Sequence, residues 1–135
     1  MAADLQYLGA LEEKLTAVFL DFCSKHGQAP LSVAAQYHGS LIWQLLWAND
    51  LSRSLRLSAT AKDNDGTDVA IEIDVSVGDQ QSYRTEQIAD WIMRSGASEH
   101  RSLHHIRNYL DTAYERANAI EASELDQTYL LPGGV

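Results

Sequence analysis

The sequence predicts an α+β fold in the order α-α-β-β-α-α. Three observations carry this: strict alternation of apolar and polar residues from Leu55 to Val77, helical spacing of apolar residues at both ends, and glycines where helices and turns should end. Leu55, Leu57, Ala59 and Ala61 alternate with Arg56, Ser58, Thr60 and Lys62. Val69, Ile71, Ile73, Val75 and Val77 alternate with Ala70, Glu72, Asp74 and Ser76. Successive side chains of a strand point to opposite faces, so this pattern defines a central antiparallel hairpin with one buried face.

The first helix spans Leu5 to His26, where Leu8, Leu11, Leu15, Val18, Phe19 and Phe22 fall on one side and Gly27 stands at the left-handed cap position. A second helix is expected from Pro30 through Ala34, Ala35, Tyr37, Leu41, Ile42, Leu45 and Leu46 to about Asp50. From Leu41 to Ala48 it is apolar nearly all round except at Gln44, the mark of a central helix flanked on more than one side.

The hairpin's register follows from its faces. A two-residue turn at Asp65-Gly66 would set Lys62 opposite Val69 and mix polar with apolar residues. A three-residue loop, Asn64-Asp65-Gly66 with Gly66 left-handed, instead pairs Ala61 with Val69, Ala59 with Ile71, Leu57 with Ile73 and Leu55 with Val75. It also sets Arg56 opposite Asp74 and Lys62 opposite Asp68 on the other face. Beyond the strands Gly78 and Asp79 turn the chain. Thr85 reads as the cap of a short helix carrying Ile88, Trp91 and Ile92 and closed by Gly96. Ser98 caps the last helix, whose apolar side is Leu103, Ile106, Leu110, Ala113, Tyr114, Ala117 and Ile120, and residues 127–135 are expected to form a loose tail. A two-stranded sheet is marginal alone, so the hairpin must pack on helices or recruit a strand at its edges, and a homodimer is one expected outcome.

With 135 residues the chain is expected to form one domain, 1–135, with a single core. No apolar run approaches the roughly 20 residues of a membrane span, and no basic region precedes an apolar stretch as in a secretory signal. One cysteine forms no internal disulfide, so a soluble protein of the reducing cytoplasm is expected. The net charge of −9 argues against direct binding to nucleic acid or to a membrane surface, both of which recruit Lys and Arg. Charge is also segregated: eight acids face two bases from Lys62 to Asp90, whereas three arginines and three histidines accompany Glu99 between Arg94 and Arg107.

Asp63, Asp65, Gly66 and Glu72 have calcium-loop spacing, but Ala61 occupies the first ligand position and the flanks read as strands. His100 and His104 share a helix stripe with Asn108, Asp111 and Glu115, the spacing of two metal ligands with a carboxylate. The Glu that would follow His100 in a zinc-protease motif is absent, and this stripe with His105 reads as a solvated face. Cys23, His26, His38 and Asp50 supply the residue types of a thiol nucleophile and its base. Cys23, however, adjoins Phe19 and Phe22 on a core helix, as a small hydrophobe would. Ser40 lacks a nucleophile elbow. No phosphate-binding glycine loop or Cys-x-x-Cys pair occurs, so no cofactor or metal is implied.

Two features remain for binding: the acids Asp63, Asp65, Asp68, Glu72, Asp74 and Asp79, and the aromatic pair Trp43 and Trp47, which is either interface or core beneath the hairpin. The expectation is a non-enzymatic binding protein that docks its negative hairpin on a basic protein, such as a nucleic-acid-binding surface, by charge complementarity. In size and acidity alone, with no shared motif, the chain is similar to phage-encoded inhibitors such as anti-CRISPR proteins. The alternatives are a homodimeric adaptor or immunity-type protein using Trp43 and Trp47, and a small metal-dependent enzyme using His100, His104 and Asp111.

Overall fold

A computed structural model describes residues 2–62, 68–79, 82–94, 96 and 98–124. Helix α1 (Ala2–Lys25) leads into five strands, β1 (Pro30–Tyr37), β2 (Ser40–Leu46), β3 (Arg53–Ala61), β4 (Asp68–Gly78) and β5 (Tyr83–Arg94). Helix α2 (Glu99–Ala119) and a 3₁₀ turn (Ala122–Glu124) follow. The strands form one antiparallel sheet in sequence order, and both helices pack on the same face of it.

The expected α-α-β-β-α-α order is therefore replaced by one helix, a five-stranded meander and one helix. The segment expected as a second helix is the hairpin β1–β2. Leu41, Trp43, Leu45 and Trp47 are buried in a period of two, while Ile42 and Leu46 on the opposite side are half-buried. A strand with apolar residues on both faces loses its alternation, which is why it reads as a helix apolar all round. His38 (φ 48°) and Gly39 (φ 83°) make the two-residue turn between Tyr37 and Ser40, both in the left-handed region that a tight hairpin turn requires. Pro30 opens an edge strand rather than a helix, a position where its missing N–H costs no ladder bond.

The helix expected around Thr85 to Ile92 is β5. A bulge opposite Ile73 and Asp74 shifts its alternation by one residue, so Ile88 and Trp91 acquire a helix-like spacing of three. Gly96 (φ 125°) accordingly lies in the β5–α2 connection.

The central hairpin has the anticipated register: Ala61 pairs with Val69, Ala59 with Ile71, Leu57 with Ile73, Leu55 with Val75 and Arg56 with Asp74. The backbone of Lys62 bonds that of Asp68 at 3.0 Å. The loop Asn64-Asp65-Gly66 and the tail 127–135 lie outside the described residues. The hairpin's edges are covered by β2 and β5 of the same chain. Gly27 (φ 67°) ends α1 as expected, with Gln28 N–H donating to the Cys23 carbonyl at 2.9 Å. Ser98 precedes α2 but its side chain makes no cap bond.

The core lies between the sheet and the helices. Leu11, Leu15 and Phe19 of α1 and Ile106, Leu110, Ala113 and Ala117 of α2 are fully buried against Trp43, Leu45, Leu55, Leu57, Ala59, Val69, Ile71, Ile73 and Met93. Among the described residues no helix is long and apolar enough to cross a membrane.

Candidate functional site

With the helices on one face, the other face of the sheet is open among the described residues, and strand register sorts its side chains into rows. Tyr37, Ser40, Thr60, Ala70 and Ile92 form one row, Ala35, Ile42, Ser58, Glu72 and Asp90 the next, and Ser32, Gln44, Arg56, Asp74 and Gln87 a third. Ser, Thr and Ala supply six of these fifteen side chains. Ser40 and Thr60 hydroxyls bond each other at 2.6 Å, as do Ser76 and Thr85 at 3.0 Å.

The acids of this face are not equivalent. Asp74, 9 % exposed, accepts from Arg56 Nη2 at 3.2 Å, and Asp68 accepts from Arg94 Nε at 3.2 Å. Glu72 and Asp90 stand directly opposite each other on β4 and β5, and neither has an ion pair or hydrogen bond to its side chain among the described residues. Like charges directly across a ladder destabilise the sheet. The sequence hides the Glu72–Asp90 pair, because the spacing of Ile88, Trp91 and Ile92 predicts a helix where β5 lies.

The other anticipated binding residues fall elsewhere. Asp79 Oδ1 accepts from the Ser82 N–H at 2.9 Å and so braces the β4–β5 turn. Asp63 and Asp65 lie outside the described residues. Trp43 and Trp47 are core, at 0 % and 3 % exposure, so neither presents a surface to a partner. Trp43 Nε1 donates to Thr16 Oγ1 at 2.9 Å, and Trp47 Nε1 to Asn118 Oδ1 at 2.8 Å, which satisfies both indoles. Trp47 also stacks on Tyr114 with centroids 4.7 Å apart.

The residues weighed for catalysis or metal binding are dispersed. His100, His104 and His105 are exposed on α2, whereas Asp111 is occupied by Lys25 Nζ at 2.6 Å and His26 Nε2 at 2.9 Å. Partial burial raises the Asp111 carboxyl, but the hydrogen bonds and charges of Lys25 and His26 outweigh it and hold the group below the usual aspartate range. No group of three or more His, Cys, Asp or Glu side chains among the described residues is placed to hold a metal. His26 is turned toward Asp111, His38 sits in the β1–β2 turn and Asp50 bonds Ser52 and Arg53, so none of these three is paired with Cys23. Burial pushes the Cys23 thiol up to about 11, and Ser40 is engaged by Thr60.

Comparison with protein-family models, curated proteins and solved structures finds no match for this chain.

Proposed function

We propose that this protein is a non-enzymatic binding module that docks a cationic protein surface on the open face of its sheet. The observation that carries the reading is the Glu72–Asp90 pair, uncompensated among the described residues, which joins β4 to the edge strand β5 on the open face of the sheet. Two like charges held directly opposite each other are a local cost to folding, and a Lys or Arg side chain laid between them relieves that repulsion. The overall charge of −9 steers such a partner in and repels nucleic acid, which favours a partner whose basic surface itself serves nucleic-acid binding, as in an inhibitor of phage type.

Glu72→Gln with Asp90→Asn tests this against Glu12→Gln with Glu13→Gln, which removes the same charge from the exposed side of α1. Association with immobilised protamine, a polycation, is followed at low and physiological salt. The face variant should bind severalfold more slowly than the helix variant, with the gap narrowing as salt rises. Equal loss in the two would assign the effect to net charge alone and overturn the reading.

A further inference from the structure

The sheet has two edges, and they are built differently. β1 carries the devices that keep an edge from pairing: Pro30, two irregularities in register and Ala34 in the left-handed region (φ 52°). β5, at the other edge, contains no proline and no lysine, and after its bulge it runs in unbroken register from Ala89 to Arg94. An edge strand presents a row of unpaired backbone N–H and C=O groups, the template for a further strand.

The side chains of this stretch are self-complementary. On the open face it carries Asp90, Ile92 and Arg94, an acid and a base spaced equally about an isoleucine that is 41 % exposed. Set two copies antiparallel with Ile92 opposite Ile92, and Asp90 of each falls opposite Arg94 of the other, while side chains that share a face in one copy share it in both. The neighbouring register, centred on Trp91, opposes Asp90 to Ile92 and pairs no charges. The Arg94 side chain is 71 % exposed, and among the described residues its ion pair is with Asp68 at 3.2 Å. On the helix side a groove of about 250 Å³ lined by Ile88, Trp91, Ser102, His105 and Tyr109 follows the same edge. Tyr109 is half in solvent there, with its ring 5.5 Å from that of Trp91, which leaves apolar surface to cover.

From this charge complementarity and exposed centre we infer that β5 is a homodimer interface, in which two copies join antiparallel at Ile92 to form one continuous ten-stranded sheet. The pairing brings a guanidinium to Asp90 and so relieves its repulsion with Glu72. A second copy and a cationic partner therefore compete to compensate the same pair, and sedimentation of the protein without any polycation decides the dimer on its own.

Sedimentation of the full chain over a wide concentration range, with circular dichroism to verify folding, provides the test. The wild type should exceed the 15.0 kDa of one copy and approach twice that mass. Asp90→Arg alone, or Arg94→Asp alone, sets like charges together at two symmetry-related contacts. Each should raise the dimer dissociation constant by about tenfold or more per contact, and the double exchange should restore it. Ile92→Cys should cross-link through its own counterpart on mild oxidation with copper phenanthroline, whereas Ser58→Cys, at the middle of the face, should not. The native Cys23 is buried and does not compete. A wild type that stays at 15.0 kDa up to its solubility limit, or a dimer indifferent to both charge reversals and to the cysteine position, would overturn the inference.

Discussion

Arg116 and Glu86 meet in a two-point ion pair, Nε to Oε1 at 2.8 Å and Nη2 to Oε2 at 2.6 Å, that fastens the last turns of α2 to the helix-facing side of β5. Arg84 Nε joins from the same strand, and Arg116 reaches Glu124 beyond the helix at 3.3 Å. The planar fork of Arg matches a carboxylate at both oxygens, which a lysine cannot do.

This pair should govern acid stability. Hydrogen bonds from Arg116 chiefly, opposed by burial and aided by Arg84, hold the Glu86 carboxyl down at about 2, against 4.5 for an ordinary glutamate. A carboxyl with a lower pKa in the fold than in the unfolded chain contributes its stability above pH 4.5 and loses it as pH falls toward 2. Glu86→Gln should therefore lower stability by about 1–2 kcal/mol at neutral pH, allowing for the pair's partial exposure. It should also flatten the decline of melting temperature between pH 4.5 and 2, measured by thermal unfolding.

Trp43 gives the core its largest fully buried side chain. Trp43→Ala should cost about 3–5 kcal/mol in chemical denaturation. Thr16→Val, which keeps the shape but leaves the indole N–H without its acceptor, should cost about 1–3 kcal/mol. Tryptophan emission should shift to the red on unfolding, since Trp43 and Trp47 are shielded from water in the native protein and the third tryptophan, Trp91, is half-buried.

How far the fold could be read from the chain depended on whether each element has one buried face. β3 and β4 alternate cleanly, so their register was legible residue by residue, and α1 and α2 each bury a single stripe. β2 carries Ile42 and Leu46 on the side opposite Leu41, Trp43 and Leu45, which conceals its period. β5 changes phase at its bulge, and its inner face holds the ion-paired Glu86 in place of an apolar residue. The candidate site is hidden for the same reason: alternation places the acids of β4 on one face, whereas Asp90 meets Glu72 only through the strand pairing of β5. Trp43 and Trp47 were ambiguous for the same reason, since their burial follows from the strand pairing of β2 and from helix partners far away in sequence.

Cys23 should behave as a buried hydrophobe. With its thiol pushed up to about 11 by burial, alkylation by iodoacetamide at pH 8 should proceed orders of magnitude more slowly in the native protein than in the unfolded chain. The sign for stability is opposite to that of Glu86. The fold favours the protonated thiol, so this contribution is full below the ordinary pKa of 9.0 and disappears as pH rises through about 11.

Two glycine substitutions of the same chemistry should have opposite effects. Gly78 closes the β4–β5 connection at φ 118°, and a Cβ there would lie 2.2 Å from the Ser82 carbonyl oxygen and 2.6 Å from the Tyr83 Cα. Both obstacles are backbone, so the turn itself must move, against the hydrogen bonds from Gly78 N–H to the Ser52 carbonyl at 2.8 Å and from Asp79 N–H to the Ser82 carbonyl at 3.0 Å. Gly78→Ala should destabilise by about 2–4 kcal/mol, the strain of a left-handed residue together with that displacement. Gly9 lies in α1, is exposed, and has no atom within 4 Å of an added Cβ. Gly9→Ala should stabilise by about 0.5–1 kcal/mol, because alanine loses less backbone entropy on entering a helix. Paired urea denaturation curves decide the matter: a Gly78→Ala midpoint at or above the wild-type value would show that the turn yields without cost, contrary to its geometry.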